Sequence, residues 1–465
     1  MTMGSGWENG QRSLAGPIAP LEAGQSTWLR RITMIWLGGT LALLPLDFVK
    51  LPLNMIPVDV WIFMGLPIFW LSFIRGRQII SLSYAVPMWI ILVASFLSTF
   101  AAPAPENSLV VILKEVYAFV WFITLIAVLA TLNARDLRRI LVVWSGMVFL
   151  HGLVIVGQFL SPAFWRLTVS FAGSLKEFEY YRPSGLFVNA NSAAFFQLLG
   201  FVPLMLVSRS QKVAMILGLL LLPTMLLTGS MGATVAFMAG LAVAVMVIFL
   251  SGRLALIIKS LGQLAIIILL LGGLLSFIVS QNQRYQDHLE RILIGRSEKS
   301  SGGRFNLWQR GIGAFEDHNV LLWGIGPENF REVDPARTDN QLHNDFLAFS
   351  VERGLLGTLG LGLFATLAAG RAAYMVLIAN KYPNRARLVV VVFLAAIVAT
   401  MVESLTHQTF HFRELWAVLA LQEAMLFKMT SSRSGVGAAT HFLNRSPRSH
   451  REFATLPDVT GGQVA

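Results

Sequence analysis

The stretch ATVAFMAGLAVAVMVIFL, residues 233–250, contains no charged residue and a single hydroxyl side chain. An α-helix of about 20 apolar residues crosses the roughly 30 Å hydrocarbon core of a bilayer. Similar runs recur along the 465-residue chain, which is 55% hydrophobic and 13% charged. A soluble domain carries about 25% charged residues. The composition therefore predicts an all-α polytopic membrane protein and excludes an ordinary water-soluble enzyme.

The apolar runs predict about twelve transmembrane helices, and the longest polar stretch follows the ninth of them. The seventh and eighth runs form a tight pair that turns at residues 229–232. The predicted spans are Ile32–Val49, Ile56–Ile74, Tyr84–Ala102, Leu109–Leu132, Ile140–Leu160, Ala190–Val207, Val213–Thr228, Ala233–Leu250, Leu261–Ser280, Leu355–Gly370, Leu388–Leu405 and Leu415–Met429.

The formal net charge of +11 is explained by topology. Lys and Arg residues concentrate in the segments predicted on one side of the membrane, whereas the short loops on the other side hold only Lys50 and Arg413. Cytoplasmic loops are enriched in Lys and Arg, so both termini are predicted in the cytoplasm. We therefore expect no nucleic acid among the partners, and membrane lipids instead.

The predicted spans divide the chain into five segments. Residues 1–27 are expected to be a disordered cytoplasmic N-terminus without a cleaved signal peptide, and residues 430–465 a disordered cytoplasmic tail. Residues 28–280 are expected to hold transmembrane helices 1–9 and residues 355–429 helices 10–12. Residues 281–354 form one large periplasmic loop, in which we expect the catalytic site. The chain has no cysteine, which excludes a disulfide framework or a thiolate metal site.

Two short helices are predicted inside this loop. The first is expected to start after the SSGG turn at residues 300–303, because Arg304, Trp308 and Phe315 follow at roughly helical spacing. The second is expected to open at His343, with caps offered by the TDN sequence at residues 338–340 and an apolar face that includes Phe346, Leu347 and Phe349.

Four sequence blocks resemble the O-antigen ligase and polymerase family. HNDFLAFSVERGLLG (343–357) resembles its "HN, nine residues, G, two residues, G" pattern, and GGRFNLWQRGIGAF (302–315) with LLWGIGPENF (321–330) resembles its "R, W, then G-x-G-x-NF" stretch. YYRPSGLFVNANSAAFF (180–196) is similar to a helix-opening block of that family, and LTGSMGA (227–233) to its S-R-G turn.

The resemblance covers about residues 140 to 425. It departs from the family at Met231, which stands where many members have arginine, so no phosphate-binding role passes to that position.

The resemblance implies a glycosyltransferase of the bacterial inner membrane. Its donor would be a glycan carried on undecaprenyl diphosphate, and its acceptor a hydroxyl of lipid A core or of a polysaccharide on the periplasmic face. It also implies catalysis without a metal or any other cofactor. The family includes ligases, polymerases and protein O-glycosyltransferases, and the sequence does not separate them; we favour a ligase-like reaction, with a polymerase as the alternative.

Elementary chemistry favours particular residue types for this reaction. A departing diphosphate gains negative charge, which positioned donors must offset when no cation does so. Arginine binds phosphate oxygens bidentately and stays protonated, which points to Arg304 as catalytic and to Arg182 as substrate-binding. The acceptor hydroxyl needs a base, and His343 is our prediction.

Further substrate-binding candidates lie within or near these blocks. Arg337 precedes His343 by six residues, and Asn344 and Asn191 stand inside the blocks. Glu403 and His407 lie near the predicted outer end of the eleventh span, where, with His411 beyond them, they are candidates to line the same cavity. Intramembrane ionisable groups are costly and often functional. Glu115 is expected to pair with another group, Arg353 to anchor the following span and His151 to make an interhelical hydrogen bond.

Two other function classes remain open on the sequence. A secondary transporter or lipid flippase also has about twelve spans, but such proteins tend to show internal repeats, and none is convincing here. A metal-dependent glycosyltransferase would need an acidic cluster beside the first outer loops. Only Asp47, Asp59 and Glu106 are candidates there, and their spacing suggests no site.

Overall fold

A computed structural model describes residues 27–47, 55–76, 83–170, 182–208, 211–251, 295–317, 321–334, 341–379 and 384–431, with four isolated helical positions between 252 and 294. Within this part of the chain every regular element is an α-helix. The predicted termini, almost all of the ninth span, Arg337 and the TDN caps lie outside the described residues.

Ten described helices precede residue 252. They overlap the first eight predicted spans, except that the helix at Pro162–Ser170 was not predicted and the sixth span is divided at Gly200. They are α1 (Thr27–Leu43), α2 (Pro57–Gly76), α3 (Ala85–Thr99), α4 (Pro105–Thr131), α5 (Ala134–Leu160), α6 (Pro162–Ser170), α7 (Ala190–Leu199), α8 (Phe201–Val207), α9 (Gln211–Leu227) and α10 (Met231–Leu250). The first helix begins earlier than predicted and ends before Pro45, because proline cannot continue a helix.

Five helices follow: α11 (Gly295–Asp317), α12 (Phe330–Val333), α13 (Asp345–Ile378), α14 (Asn384–Glu403) and α15 (Arg413–Ser431). The expected start of α11 after the SSGG turn is wrong, since the helix begins at Gly295 and runs through that sequence. Ser and Gly lower helix propensity by only about 0.5 to 1 kcal/mol each, so a longer helix overrides them.

The second loop helix also begins later than predicted. His343 lies outside it, and Asn344 is the cap, with its Oδ1 accepting from the backbone N–H of Leu347 at 3.0 Å.

Five described helical segments are long and apolar enough to cross a membrane. They are Pro105–Thr131, Ala134–Leu160, Ala190–Val207, Met231–Leu250 and Asp345–Ile378. The chain is therefore an all-helical membrane protein. Helix α10 packs along α14, α13 along α3, and α15 along α4, around a core that includes the buried Trp121, Trp144 and Trp416.

Gly354 interrupts α13 where the loop was predicted to end. Its φ is +64°, and a Cβ there would lie 2.3 Å from the carbonyl oxygen of Leu322. Glycine is therefore required both for the left-handed conformation and for the close approach of the 321–326 segment. The backbone N–H of Gly326 donates to the carbonyl of Glu352 at 2.8 Å, which fixes this segment against the helix.

Arg353 anchors the same break to the bundle. Its guanidinium is 1% exposed and contacts Glu115 of α4 at 2.6 Å and Ser95 of α3 at 2.9 Å. His411 approaches the same Glu115 carboxylate at 3.3 Å. The predictions that Arg353 anchors the following span and that Glu115 is paired are both confirmed.

We expect Arg353→Met to destabilise the protein by about 3 to 5 kcal/mol, because it leaves the Glu115 carboxylate buried without its partner. The measurement is thermal unfolding of the detergent-purified protein. Arg139→Met is the matched control, since Arg139 is 64% exposed where it pairs with Asp136, and exposed pairs contribute about 0 to 1 kcal/mol. Equal losses in the two variants would contradict the anchoring role.

Candidate active site

The described candidates come together at one end of the helix bundle. Arg182 precedes α7, Arg304 lies on α11, His343 precedes α13, and Glu403 and His407 stand at and after the end of α14. These residues are far apart in sequence. The following contacts bring them to one place.

Arg182 is fixed by the turn between α9 and α10. Its Nε donates to the carbonyl of Thr228 at 2.8 Å, and its Nη2 donates to the side-chain oxygen of Asn191 at 3.2 Å. Asn189 caps α7 by accepting from the backbone N–H of Asn191. Because Asn191 is buried, we expect its side chain to orient Arg182 rather than to contact a substrate.

Side chains of α5 hold the segment between Arg182 and α7 in place. Gln158 accepts from the backbone N–H groups of Ser184 and Gly185 at 2.9 and 2.8 Å. His151 contacts the Ser184 carbonyl at 3.3 Å and the amide of Gln197 at 2.7 Å, which confirms its prediction as a satisfied interhelical group. This buried network fixes the segment that follows Arg182 against α5.

The S-M-G turn makes room for Glu403. A Cβ on Gly232 would lie 2.8 Å from Glu403 Oε2 and 2.3 Å from Thr406 Oγ1. The Glu403 carboxyl group therefore lies directly against the amino end of α10. Met231, by contrast, is 52% exposed. The departure from the family motif thus leaves the buried part of the turn intact.

Arg304 provides a positive charge close to Glu403. Burial lowers the pKa of Arg304, and the negative charge of Glu403 opposes that shift. A guanidinium stays protonated in proteins, so this position remains cationic. Glu403 is 1% exposed, and its Oε2 has no hydrogen-bond partner among the described residues.

Trp308 and Gly311 position α11 on the segment that precedes His343. The indole N–H of Trp308, one turn after Arg304, donates to the carbonyl of Leu342 at 3.1 Å. Gly311 allows Leu342 to approach, since a Cβ there would lie 2.6 Å from its Cδ2. Through this contact, the spacing of Arg304 and Trp308 on α11 brings Arg304 to the segment that carries His343.

His343 adopts the left-handed conformation with φ +49°, which is rare for a residue with a side chain. Strained residues of this kind cluster at functional sites. Burial, followed by the charges of Arg304 and Arg331, lowers the pKa of His343 to about 4. The imidazole is therefore neutral at pH 7 and has a lone pair available to accept a proton.

His407 lies next to His343, with ring centroids 5.7 Å apart. Burial, the neighbouring His343 and the cations Arg304 and Arg182 lower the pKa of His407 to about 3. Its Nε2 has no hydrogen-bond partner among the described residues, although the side chain is only 6% exposed. An unpaired buried nitrogen is costly, so a ligand polar group is the expected partner.

Asp345 holds the two histidines together, and the sequence reasoning missed it. Its Oδ2 accepts from the backbone N–H groups of Thr409 and Phe410 at 2.8 and 3.2 Å and from the Thr409 hydroxyl at 3.0 Å. Its own backbone N–H donates to the carbonyl of Ser404 at 2.8 Å. The acidic residue after HN was visible, but its partners lie about sixty residues downstream.

Two predicted residues, and one residue considered for a metal site, are engaged elsewhere. Asn344 is occupied as the cap of α13, so its side chain faces the helix backbone. His411, which the sequence grouped with Glu403, contacts Glu115 instead. Asp59 is engaged bidentately by Arg413 at 2.7 and 2.6 Å. Within the described part of the chain, no three His, Cys, Asp or Glu residues converge as metal ligands.

The arrangement combines two guanidinium groups, two neutral imidazoles and one buried carboxylate. The positive charges of Arg182 and Arg304 lower the pKa of His407, and that of Arg304 also lowers the pKa of His343. The cluster is suited to bind an anionic group and to take a proton beside it. Residues 214–362 match the family model described as O-antigen ligase. These 149 of the 465 residues are similar to an O-antigen ligase domain.

The O-antigen ligase match confirms the family resemblance drawn from the sequence motifs. The matched residues include Gly232, Arg304 and His343. Arg182, Glu403 and His407 lie outside the matched stretch in sequence but close to it in the structure. The match implies an enzyme of the glycosyltransferase type in polysaccharide assembly. A comparison with curated proteins finds no match.

Proposed function

We propose that the protein transfers a glycan from undecaprenyl diphosphate to an acceptor hydroxyl on the periplasmic face of the inner membrane, as an O-antigen ligase does. The observation that carries this proposal is the joint position of Arg182, Arg304, His343 and His407 at one end of a membrane bundle. Cationic donors beside a neutral base are what diphosphate departure and hydroxyl attack require together.

In the proposed reaction the acceptor oxygen attacks the anomeric carbon while the bond from that carbon to the diphosphate oxygen breaks. The acceptor proton passes to the imidazole of His343, and the diphosphate leaves with the bonding electron pair. Arg304 and Arg182 offset the charge that develops on the leaving oxygens. Arriving donor phosphates also raise the low pKa of His343, since a nearby anion favours imidazolium. No step requires a cation from solution.

The charge distribution at the two bundle ends supports the proposed orientation. The end opposite the candidate site contains Arg30 paired with Asp136, Arg371 paired with Glu423, and Lys428 bound to the last carbonyls of α4. Basic residues mark the cytoplasmic side. We therefore propose the twelve-span topology with cytoplasmic termini and with residues 281–354 in the periplasm.

The test is a reconstituted reaction. Full-length protein in liposomes, supplied with lipid-linked donor and acceptor glycolipid, is expected to form the new glycoside and release undecaprenyl diphosphate without an ion gradient. Activity is expected to persist in chelator. Gradient-dependent uptake with no covalent product would instead establish a transporter.

A glycan profile of a deletion strain separates the two reactions of the family. Loss of all long chains from lipid A, with lipid-linked polymer accumulating, is expected for the ligase-like reaction. Caps of a single repeat unit would instead establish a polymerase.

A further inference from the structure

A second polar cluster lies beside His343, outside the cluster of Arg182, Arg304, Glu403 and His407. The amide Nε2 of Gln341 donates to Glu328 Oε1 at 2.8 Å, and Arg331 Nη2 lies 3.7 Å from Glu328 Oε2. Gln341 stands two residues before His343. These side chains are polar, close together and adjacent to the predicted base.

The backbone at Glu328 is unusual. Its φ is +60°, and among the described residues only Glu328 and His343 have positive φ without being glycine. The neighbouring positions Gly324 and Gly326 meet the same requirement with glycine. Glycine would adopt this conformation at lower cost, so the presence of a glutamate here points to a use for its side chain.

The strained turn is held in place from the membrane side. The backbone N–H of Glu328 donates to the buried carboxylate of Glu352, which also lies 3.4 Å from Arg353. Asn329, fully buried, binds the hydroxyl of Ser108 at 2.9 Å and accepts from the backbone N–H of Ala104 at 2.8 Å. The turn is thus built rigidly, while the side chains of Glu328 and Arg331 remain 34% and 40% exposed.

His343 is adjacent to both clusters. Its ring centroid lies 5.7 Å from that of His407, and Gln341, two residues before it, donates to Glu328. The exposed Arg331 is one of the charges that lower the pKa of His343. In an in-line displacement the base lies beside the incoming hydroxyl, and the leaving group lies on the far face of the anomeric carbon. A base adjacent to two separate clusters can therefore serve a donor bound at one of them and an acceptor bound at the other.

We propose that Glu328, Gln341 and Arg331 form the subsite that binds the acceptor glycan, with the Glu328 carboxylate accepting hydrogen bonds from sugar hydroxyl groups. A carboxylate accepts only, an amide both donates and accepts, and a guanidinium donates, so the set matches the hydroxyls of a polyol. The pair of Glu328 and Arg331 adds no net charge, which fits a neutral sugar ring. This inference rests on the proposed glycan transfer and names the part of that site which selects the acceptor.

The test compares acceptor kinetics with donor-side affinity in full-length protein. The acceptor is glycolipid purified from a strain lacking the gene, and the donor-side probe is undecaprenyl diphosphate. Glu328→Gln is expected to raise the acceptor KM about tenfold, because a charge-assisted hydrogen bond is weakened, with little change in kcat. Binding of undecaprenyl diphosphate is expected to stay at the wild-type value.

Two further variants keep the result interpretable. Gln341→Ala, which leaves the strained turn unchanged, is expected to raise the acceptor KM in the same direction. Glu332→Gln, the same chemical change at an exposed position of α12, is expected to have no effect. Wild-type acceptor KM in both Glu328→Gln and Gln341→Ala would overturn the subsite, and so would weaker binding of undecaprenyl diphosphate in place of the KM change.

Failure of the proposed function gives a different result. In that case the wild-type protein itself transfers no glycan, whatever the acceptor concentration, and the inference falls with the function. An active wild-type protein with unaffected variants overturns the acceptor subsite alone.

Discussion

Replacing Arg304 with alanine is expected to lower kcat/KM for glycan transfer by about 100- to 1000-fold, the typical loss when one preorganised donor to a developing oxyanion is removed. Arg304 approaches Glu403 and both imidazoles, so its charge lies where the diphosphate would depart. The partly buried position strengthens the effect, because electrostatic interactions weaken less there than in water. The measurement is the initial rate of transfer by purified protein in liposomes.

Two companion variants define what the loss means. Arg304→Lys keeps the charge but not the planar fork, and it is expected to recover only part of the rate. Gln309→Ala, on the exposed side of the same helix, is expected to retain the wild-type rate and serves as the control for α11. A wild-type rate in Arg304→Ala would remove Arg304 from the mechanism.

His343→Ala is expected to lower kcat by about 100- to 10,000-fold, which is the range for loss of a general base. The variant should still bind undecaprenyl diphosphate, because the two arginines remain. His318→Ala is the matched control, since His318 lies in the same sequence region with no family motif around it. Full activity in His343→Ala would show that another group removes the proton.

The pH profile tests the same role independently. His343 must be neutral to accept a proton, and burial together with Arg304 and Arg331 lowers its pKa to about 4. In the free enzyme, kcat/KM should therefore be independent of this group near pH 7 and should fall as the pH drops through about 4. A profile that instead falls through pH 6.5 would indicate an unshifted histidine.

The sequence predicted the helical class and most helix positions because apolar runs report membrane crossing directly. The sequence also pointed to Arg304 and His343 as site residues, because both stand in blocks that resemble the family. The predicted start was wrong by nine residues for α11, which begins at Gly295, and by two for α13, which begins at Asp345. Contacts between such segments, for example that of Trp308 with Leu342, are not contained in the spacing of a single sequence.

Contacts between residues that are far apart in sequence were not predicted. Asp345 and Glu328 were quoted only as parts of motifs. Their roles arise from Thr409 in one case and Gln341 in the other, and no periodic pattern connects these positions. His411 was misplaced for the same reason, because its partner Glu115 lies almost three hundred residues earlier.

The contact of Asp345 with the backbone of residues 409–410 limits which segments can be exchanged between family members in chimeric proteins. The spacing of the two imidazoles is set by one carboxylate reaching across to a distant turn, so neither segment carries that spacing alone. Chimeras that exchange the loop before α13 between family members should therefore import the turn after α14 from the same parent. Exchange of the first five helices is free of this restriction.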